Sequence, residues 1–146
     1  MSSTESIIAL LKERGLRDTL PRRGVLDACL ALKKPVSPKD VFHWLHAKKR
    51  TIDLVTIYRI LEKLEDLGLV HRHACNGNVA LCSMPEREGH HAFLHCERCG
   101  DTREFISAAL CQAENAIARR ANFIPDHHVS EIVGTCSDCS RSPRRS

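Results

Sequence analysis

Aromatic residues are scarce in this 146-residue chain: one Trp, one Tyr and four Phe make up 4% of it. We therefore expect a core built mainly from aliphatic side chains. Apolar runs are also short, none exceeding five residues (7–11 and 28–32). A transmembrane helix needs about 20 apolar residues in succession, so none is predicted. The first residues lack the basic and apolar segments of a secretory signal, and we expect a cytoplasmic protein.

Cysteine and histidine, in contrast, are abundant and unevenly distributed. The chain has eight Cys and nine His, and seven of the cysteines lie in residues 74–146. At this density, thiols in a cytoplasmic protein indicate metal binding before disulfides. Residues 1–73 are basic, with 14 Lys+Arg against nine Asp+Glu. A basic half followed by a Cys/His-rich half indicates a polyanion partner for the first and a metal for the second.

The first seventy residues fit four helices, followed by a β-hairpin. Each predicted helix has a residue suited to cap its N-terminus, followed by apolar positions at helical spacing. The predicted helices cover about 4–14, 20–33, from 37 onward and 53–67. Cys29 lies on the apolar face of the second helix, where a buried thiol is favoured over a metal ligand. Asn76-Gly77 between two short strands predicts a type I′ hairpin. This order of elements is typical of a winged helix-turn-helix domain. The predicted N-caps are Ser3, Thr19, Ser37 and Asp53.

The fourth helix has the features of a DNA recognition helix. Its predicted apolar face is formed by Leu54, Ile57, Leu61, Leu64 and Leu67, whereas Thr56, Arg59, Lys63 and Asp66 point away from it. Arg is the side chain that most often reads bases in the major groove, and Tyr58 lies between the two faces. The alternative is a solvated helix face without a partner. Positive charge suited to phosphate contacts is supplied by Arg22, Arg23, Lys48, Lys49 and Arg50.

Two Cys-x-x-Cys pairs, Cys96/Cys99 and Cys136/Cys139, predict a structural zinc site. Each pair can place two thiolates on one ion, and four thiolates complete a tetrahedral shell without an open position. The 36 residues between the pairs must contain structure, for which we predict a strand at 102–105, a helix at 107–121 and a strand at 128–133. A disulfide or a thiol redox site is the alternative.

Hairpin register suggests a second metal site. A two-residue Asn76-Gly77 loop pairs Cys75 with Asn78 and His71 with Cys82, whose side chains then lie on one face within reach of one zinc. His73 then faces the same side, opposite Ala80. The alternative is an exposed His beside a half-buried Cys. Further candidate ligands for this second site lie later in the chain. They are His90, His91 and His95 after Cys82, and Glu104 after the first Cys pair.

Taken together, these motifs resemble the ferric uptake regulator (Fur) family over about residues 7–139. Gly15-Leu-Arg-Asp-Thr-Leu-Pro-Arg-Arg23 is similar to its opening region, and residues 51–70, with Thr56-Ile-Tyr-Arg59, are similar to its recognition helix. His90-His91 and both Cys-x-x-Cys pairs are similar to its metal-binding segments. Iron and peroxide sensors of the family typically have His-His-Asp-His where this chain has His90-His91-Ala92-Phe93.

The resemblance implies a regulatory site like that of zinc uptake regulators (Zur), with Cys82 where a carboxylate is common. A third metal site is implied less clearly by His128 with Cys111, although Cys111 also suits the core of the long helix. His91 is an alternative to His90. The implied regulatory ligands are His71, Cys82, His90 and Glu104. The implied DNA-binding residues are Tyr58 and Arg59 as base readers, with Thr56, Arg23, Lys49 and Arg50.

The fold implied by the resemblance is α+β: a winged helix-turn-helix DNA-binding domain (1–83), a linker (84–90), a small α/β dimerisation domain (91–140) and a disordered tail (141–146). The implied protein is a homodimer with two zinc ions per monomer, one structural and one regulatory. It represses zinc-uptake genes by binding an AT-rich inverted repeat in double-stranded DNA. We expect no membrane partner and no small-molecule substrate.

Other functions fit the sequence less well. A thiol redox or peroxide sensor would use the Cys pairs as disulfides or hold iron. A structural zinc protein would bind DNA regardless of the second metal. A zinc hydrolase needs an open coordination position and a base such as Glu88, but no His-Glu-x-x-His motif is present, so no enzyme is predicted. Within the family, sensing of nickel, manganese, iron or haem is the alternative.

Overall fold

The computed structural model describes residues 3–85, 91–125 and 130–142. The chain divides into two compact units between residues 85 and 86. Helices and a two-stranded hairpin form the first unit, and a three-stranded sheet with two helices forms the second, so the fold is α+β. No helix in these described ranges has the length and apolarity to cross a membrane. The elements are α1 (Thr4–Glu13), α2 (Leu20–Leu32), α3 (Pro38–Ala47), α4 (Leu54–Asp66), β1 (Val70–Arg72), β2 (Val79–Leu81), β3 (His91–Cys96), β4 (Thr102–Ile106), α5 (Ala108–Arg120), β5 (Ser130–Gly134) and α6 (Ser137–Arg141).

Polar side chains cap the four helices of the first unit at the predicted positions. Ser37 Oγ accepts the backbone N–H of Asp40 at 3.1 Å, and the Asp40 carboxylate accepts the backbone N–H of Ser37 at 2.8 Å. At the start of α4, Asp53 accepts the N–H group three residues on at 2.9 Å. These bonds satisfy N–H groups that have no partner inside the helix. Ser3 and Thr19 cap α1 and α2 in the same way.

Aliphatic side chains from the four helices and the hairpin form one core in the first unit. Cys29 lies in this core, and burial raises the pKa of its thiol to about 12. The predicted buried thiol is confirmed. In α4 the predicted apolar face is confirmed in its middle, with Ile60 added, while the end residues Leu54 and Leu67 are only partly buried. The buried side chains of α4 are Ile57, Ile60, Leu61 and Leu64.

The hairpin, which we call the wing, has a longer loop than the sequence predicts. A type I′ turn needs positive φ at both Asn76 and Gly77, but only Gly77 has it, at +71°. Gly77 N–H donates to the oxygen of His73 at 2.8 Å, and Asn76 Oδ1 accepts the N–H of Asn78 at 2.9 Å. These bonds close a four-residue loop, 74–77.

The longer loop changes the predicted strand register. His71 pairs with Ala80, so the predicted pairing of His71 with Cys82 is wrong by two residues. The predicted pairing of Cys75 with Asn78 is also wrong, because the N–H of His73 donates to the oxygen of Asn78 at 2.8 Å.

A three-stranded mixed sheet with the order β4-β3-β5 forms the centre of the second unit. β3 pairs antiparallel with β4, with Phe93 opposite Glu104, and parallel with β5, with Cys96 opposite Gly134. Parallel strands need a crossover connection, and α5 lies in the segment that leads from β4 to β5. The predicted strand–helix–strand order between the two Cys pairs is confirmed.

Replacing Leu61 with Ala tests the core of the first unit. Leu61 is 1% exposed in α4, and Leu61→Ala removes buried methyl groups and leaves a cavity, so we expect the free energy of unfolding to fall by about 2–5 kcal/mol. Urea unfolding followed by far-ultraviolet circular dichroism measures it. Val55→Ala is the matched control, because Val55 lies in the same helix at 60% exposure and we expect a change of no more than about 0.5 kcal/mol. Equal unfolding midpoints for both variants would contradict this packing.

Candidate metal centres and nucleic-acid interface

Four cysteines of the second unit come together as predicted from the two Cys-x-x-Cys pairs. The Sγ atoms of Cys96, Cys99, Cys136 and Cys139 all lie within 4.8 Å of one another. Cys96 ends β3, and Cys136 directly precedes α6 just after β5, so the parallel pairing of β3 with β5 brings the two pairs side by side. After the first pair, Gly100 has φ +76° and donates its N–H to the oxygen of Cys96 at 2.8 Å. The long spacer is therefore compatible with one site.

The spacing of the sulfur atoms fits a tetrahedral zinc ion and not a disulfide. Cys99 Sγ and Cys136 Sγ lie 3.8 Å apart. A tetrahedron with Zn–S bonds of about 2.3 Å has edges of about 3.8 Å, whereas a disulfide bond measures about 2.05 Å. All eight cysteines are free thiols in this structure. The four sulfurs therefore suit one structural zinc ion.

The protein environment favours a thiolate at one of these positions. Backbone N–H groups of Cys136, at 3.3 Å, and Cys99 lower the pKa of the Cys96 thiol to about 6. Hydrogen bonds with the neighbouring thiols Cys136 and Cys99 raise the pKa of Cys139 to about 12. Four thiolates therefore repel one another without a cation, and a divalent ion removes this repulsion.

Two of the predicted regulatory ligands come together in the wing of the first unit. His71 lies in β1 and Cys82 directly follows β2, with its N–H donating to the oxygen of Leu69 at 2.9 Å. Although the register differs from the prediction by two residues, a shift of two leaves both side chains on one face of the hairpin. Their ligand atoms lie within 4.8 Å of each other, and Cys82 is 2% exposed.

A second pair, His91 and Glu104, comes together in the second unit. His91 Nδ1 is hydrogen-bonded to Glu104 Oε1, and these side chains are 8% and 6% exposed. The pair lies on adjacent antiparallel strands, His91 in β3 and Glu104 in β4. The sequence prediction preferred His90 as the ligand, and His90 lies outside the described residues. The structure places His91, the alternative, beside Glu104.

The remaining metal and base candidates are not brought together within the described residues. His128 and Glu88 lie outside these residues. Cys111 is only partly buried in α5, and no residue of α5 is buried, so Cys111 is not the core residue that the sequence favours.

The face of α4 opposite the core presents side chains suited to DNA. Arg59 is exposed and Tyr58 is 43% exposed. Thr56 Oγ1 donates to the Asp53 carboxylate at 2.6 Å, so this hydroxyl serves the helix cap. Val55, which the sequence reasoning missed, is 60% exposed and lies four residues before Arg59, on the same face. The sequence signal for Val55 was its position outside the predicted apolar face of α4. An exposed apolar side chain at such a position suits contact with a thymine methyl group.

Two of the predicted phosphate-binding arginines are paired with carboxylates. Arg23 donates to Asp18 through Nε at 2.7 Å and Nη2 at 2.6 Å. Arg50 Nη1 donates to Asp27 at 2.7 Å. The guanidinium of Arg23 lowers the pKa of Asp18. Lys49, in contrast, is exposed just after α3, with φ +57°.

Comparisons with known proteins agree with this architecture. The profile of the Ferric uptake regulator family matches residues 13–133. A ferric uptake regulation protein of Legionella pneumophila is 35% identical over 130 residues, which cover 88% of this chain and 95% of that protein. Holo XcZur has a TM-score of 0.86 and 26% identity, covering 95% of this chain and 97% of its own. A zinc uptake regulator complexed with zinc and DNA has a TM-score of 0.85 and 25% identity, covering 96% and 97%. The chain belongs to the ferric uptake regulator family.

Proposed function

We propose that this chain is a zinc-responsive repressor of zinc-uptake genes, which acts in the cytoplasm as a zinc-bound homodimer on an AT-rich inverted-repeat operator. The observation that carries the proposal is the set of ligand types, with Cys82 beside His71 in the wing and Glu104 beside His91 in the second unit. A thiolate among imidazole and carboxylate ligands favours zinc and disfavours Mg²⁺, Ca²⁺ and Mn²⁺. The zinc uptake regulator solved with zinc and DNA supports the same metal and partner.

Each monomer holds two zinc ions in this proposal. The four clustered cysteines hold the structural ion, which stabilises the second unit. The regulatory ion is held by His71 and Cys82 from the first unit and by His91 and Glu104 from the second. Because these ligands come from both units, a bound zinc joins the DNA-binding part to the dimerisation part. The parts are residues 1–83 and 91–140, with a linker at 84–90 and a tail at 141–146.

Joining the units couples the metal to DNA binding. Two recognition helices of a dimer must be held at a separation that matches successive major grooves. The four regulatory ligands favour that arrangement only when they share one ion. Zinc and operator therefore raise each other's affinity by the same factor.

A second copy of the chain is the partner that the second unit needs. No residue of α5 is buried, and Ile117 in this helix is 66% exposed. On the sheet, the paired residues Leu94 and Ile132 are 44% and 62% exposed. Apolar side chains exposed together in this way support a homodimer in which the partner covers them.

The DNA-facing residues divide into base readers and phosphate contacts. Arg59 and Tyr58 read base edges from α4, and Val55 and Thr56 lie near them. Phosphates are contacted by Lys49, and by Arg23 and Arg50 if phosphate replaces their carboxylate partners. This division follows from exposure and from the position of each residue relative to α4.

An iron-responsive regulator is the second candidate function. It is favoured by the relative from Legionella pneumophila, which is a ferric uptake regulation protein. The thiolate of Cys82 and the replacement of the family's His-His-Asp-His run by His90-His91-Ala92-Phe93 weigh against it. Operator binding by the metal-free chain, titrated separately with Zn²⁺ and Fe²⁺, distinguishes the two functions.

Removing the wing thiol tests the regulatory site. We expect Cys82→Ser to lower the zinc content from two ions per monomer to about one and to abolish zinc-dependent operator binding, with the dimer intact, because one of four ligands is lost. Elemental analysis, light scattering and fluorescence anisotropy measure this, the last with an AT-rich inverted-repeat duplex selected by the native chain. Cys75→Ser, in the exposed wing loop, is the matched control and keeps both properties. If Cys82→Ser keeps its metal and its affinity, the regulatory site lies elsewhere.

Removing one clustered thiol tests the structural site. We expect Cys136→Ser to lose the structural zinc and the folded second unit, because binding of such an ion is coupled to folding. Elemental analysis and near-ultraviolet circular dichroism follow the two losses. Cys111→Ser changes a thiol outside the cluster and is expected to keep two zinc ions. A folded Cys136→Ser dimer with two zinc ions would rule out the four-cysteine site.

Replacing Arg59 tests the recognition helix. We expect Arg59→Ala to weaken binding to the selected duplex by about 5–150-fold, since a base-reading Arg contributes about 1–3 kcal/mol of discrimination. We expect the zinc content to stay at two ions per monomer, because Arg59 is not one of the proposed zinc ligands. Lys63→Ala, also exposed on α4, is the control and changes affinity much less. Unchanged operator affinity of Arg59→Ala would remove Arg59 from the list of base readers.

A further inference from the structure

We propose that Arg72 is a positioning residue that ties the wing to the recognition helix, and that this tie carries the response to zinc from the wing to α4. The inference rests on the proposed function, since it takes His71 and Cys82 as regulatory ligands. It assigns a role to Arg72 and Glu65, which take no part in the metal sites or the base contacts described above.

Arg72 connects three parts of the first unit through its guanidinium. Its Nε donates to the two carboxylate oxygens of Glu65 at 3.2 and 3.1 Å, and its Nη2 donates to Oε2 at 2.7 Å. Its Nη1 donates to the backbone oxygen of Gly77 at 3.0 Å. Glu65 lies in the last turn of α4, and Gly77 lies in the wing loop. The planar fork of an Arg fixes direction as well as distance, so it can hold the loop and the helix together.

The position of Arg72 in β1 links this tie to the metal. β1 is only three residues long, Val70–Arg72, and successive side chains of a strand point to opposite faces. His71 therefore points to the face it shares with Cys82, whereas Arg72 points to the face that meets α4. His71 is therefore connected to the recognition helix through one peptide bond, to Arg72, and one ion pair, between Arg72 and Glu65.

Two valines anchor the base of the wing, whereas its loop is exposed. Val70 and Val79 are 1% exposed and anchor the base of the hairpin in the core. Residues 74–77 of the loop are all exposed. The guanidinium of Arg72 joins this loop to α4, through Gly77 on one side and Glu65 on the other. Breaking these bonds removes this link between the wing loop and the last turn of α4.

The alternative role for a surface arginine is direct contact with a DNA phosphate. The two roles predict opposite effects of Glu65→Gln. If Arg72 binds phosphate, removing the negative charge of Glu65 strengthens DNA binding. If Glu65 and Arg72 form a positioning pair, the same change weakens zinc-dependent binding.

The experiment measures the affinity for the selected duplex without zinc and at saturating zinc, in the full-length chain. We expect the zinc-induced gain in affinity to fall by roughly threefold to tenfold in both Arg72→Met and Glu65→Gln. Zinc content stays at two ions, and the Tm falls by no more than about 8 °C, because both side chains are about one-third exposed. Asp66→Asn is the matched control, since it removes the same charge from the same turn without breaking the tie. The charge exchange Glu65→Arg with Arg72→Glu restores part of the gain.

Each contrary outcome has a definite meaning. An unchanged gain in both single variants overturns the inference. Stronger DNA binding by Glu65→Gln, with a salt dependence reduced by about one phosphate in Arg72→Met, makes Arg72 a phosphate contact and also overturns it. A native chain that shows no gain with zinc fails the proposed function itself, and this control separates that failure from the loss of the Arg72 role.

Discussion

The parallel pairing of β3 with β5 determines where the thiols of the structural site meet. Cys96 ends β3 opposite Gly134, and Cys136 follows two residues later, so its N–H reaches Cys96 Sγ at 3.3 Å. The antiparallel pairing of the same strand with β4 places Glu104 beside His91. One strand therefore positions ligands of both proposed metal sites. Because zinc binding to four thiolates is coupled to folding, the proposed structural ion would stabilise this strand pairing, and the pairing would position its ligands.

Features that depend on neighbouring residues were predictable from the sequence, and features that depend on turn geometry were not. The helix caps and the Cys-x-x-Cys pairs are local, and the structure confirms the caps and brings the four thiols together. The register of the wing depends on whether Asn76 adopts positive φ, which the sequence does not determine. His71 and Cys82 still meet, because a shift of two residues preserves the face of each side chain. A shift of one would have separated them.

The ion pairs of the first unit were beyond sequence reasoning for a similar reason. Asp27, the partner of Arg50, lies 23 residues away, and only the tertiary fold joins the two. Asp18 lies five residues before Arg23, just before α2, where several other arginines are equally near in sequence. A guanidinium held by a carboxylate is oriented but contributes less net positive charge to its surroundings. A phosphate must displace or share that carboxylate, which lowers the sequence-independent part of the affinity. The paired arginines therefore add less to the attraction of phosphates than the count of arginines suggests.

The choice of metal depends on fewer residues than the fold does. A relative that is 35% identical shares the framework that places the ligands, but metal preference follows the donor atoms themselves. In this chain Cys82 directly follows the second wing strand, where the family resemblance leads one to expect a carboxylate. Exchanging a carboxylate for a thiolate changes a hard oxygen ligand into a soft sulfur ligand and leaves the hairpin backbone intact. The donor atom at residue 82 therefore bears more directly on which metal ion the wing can bind than overall identity does.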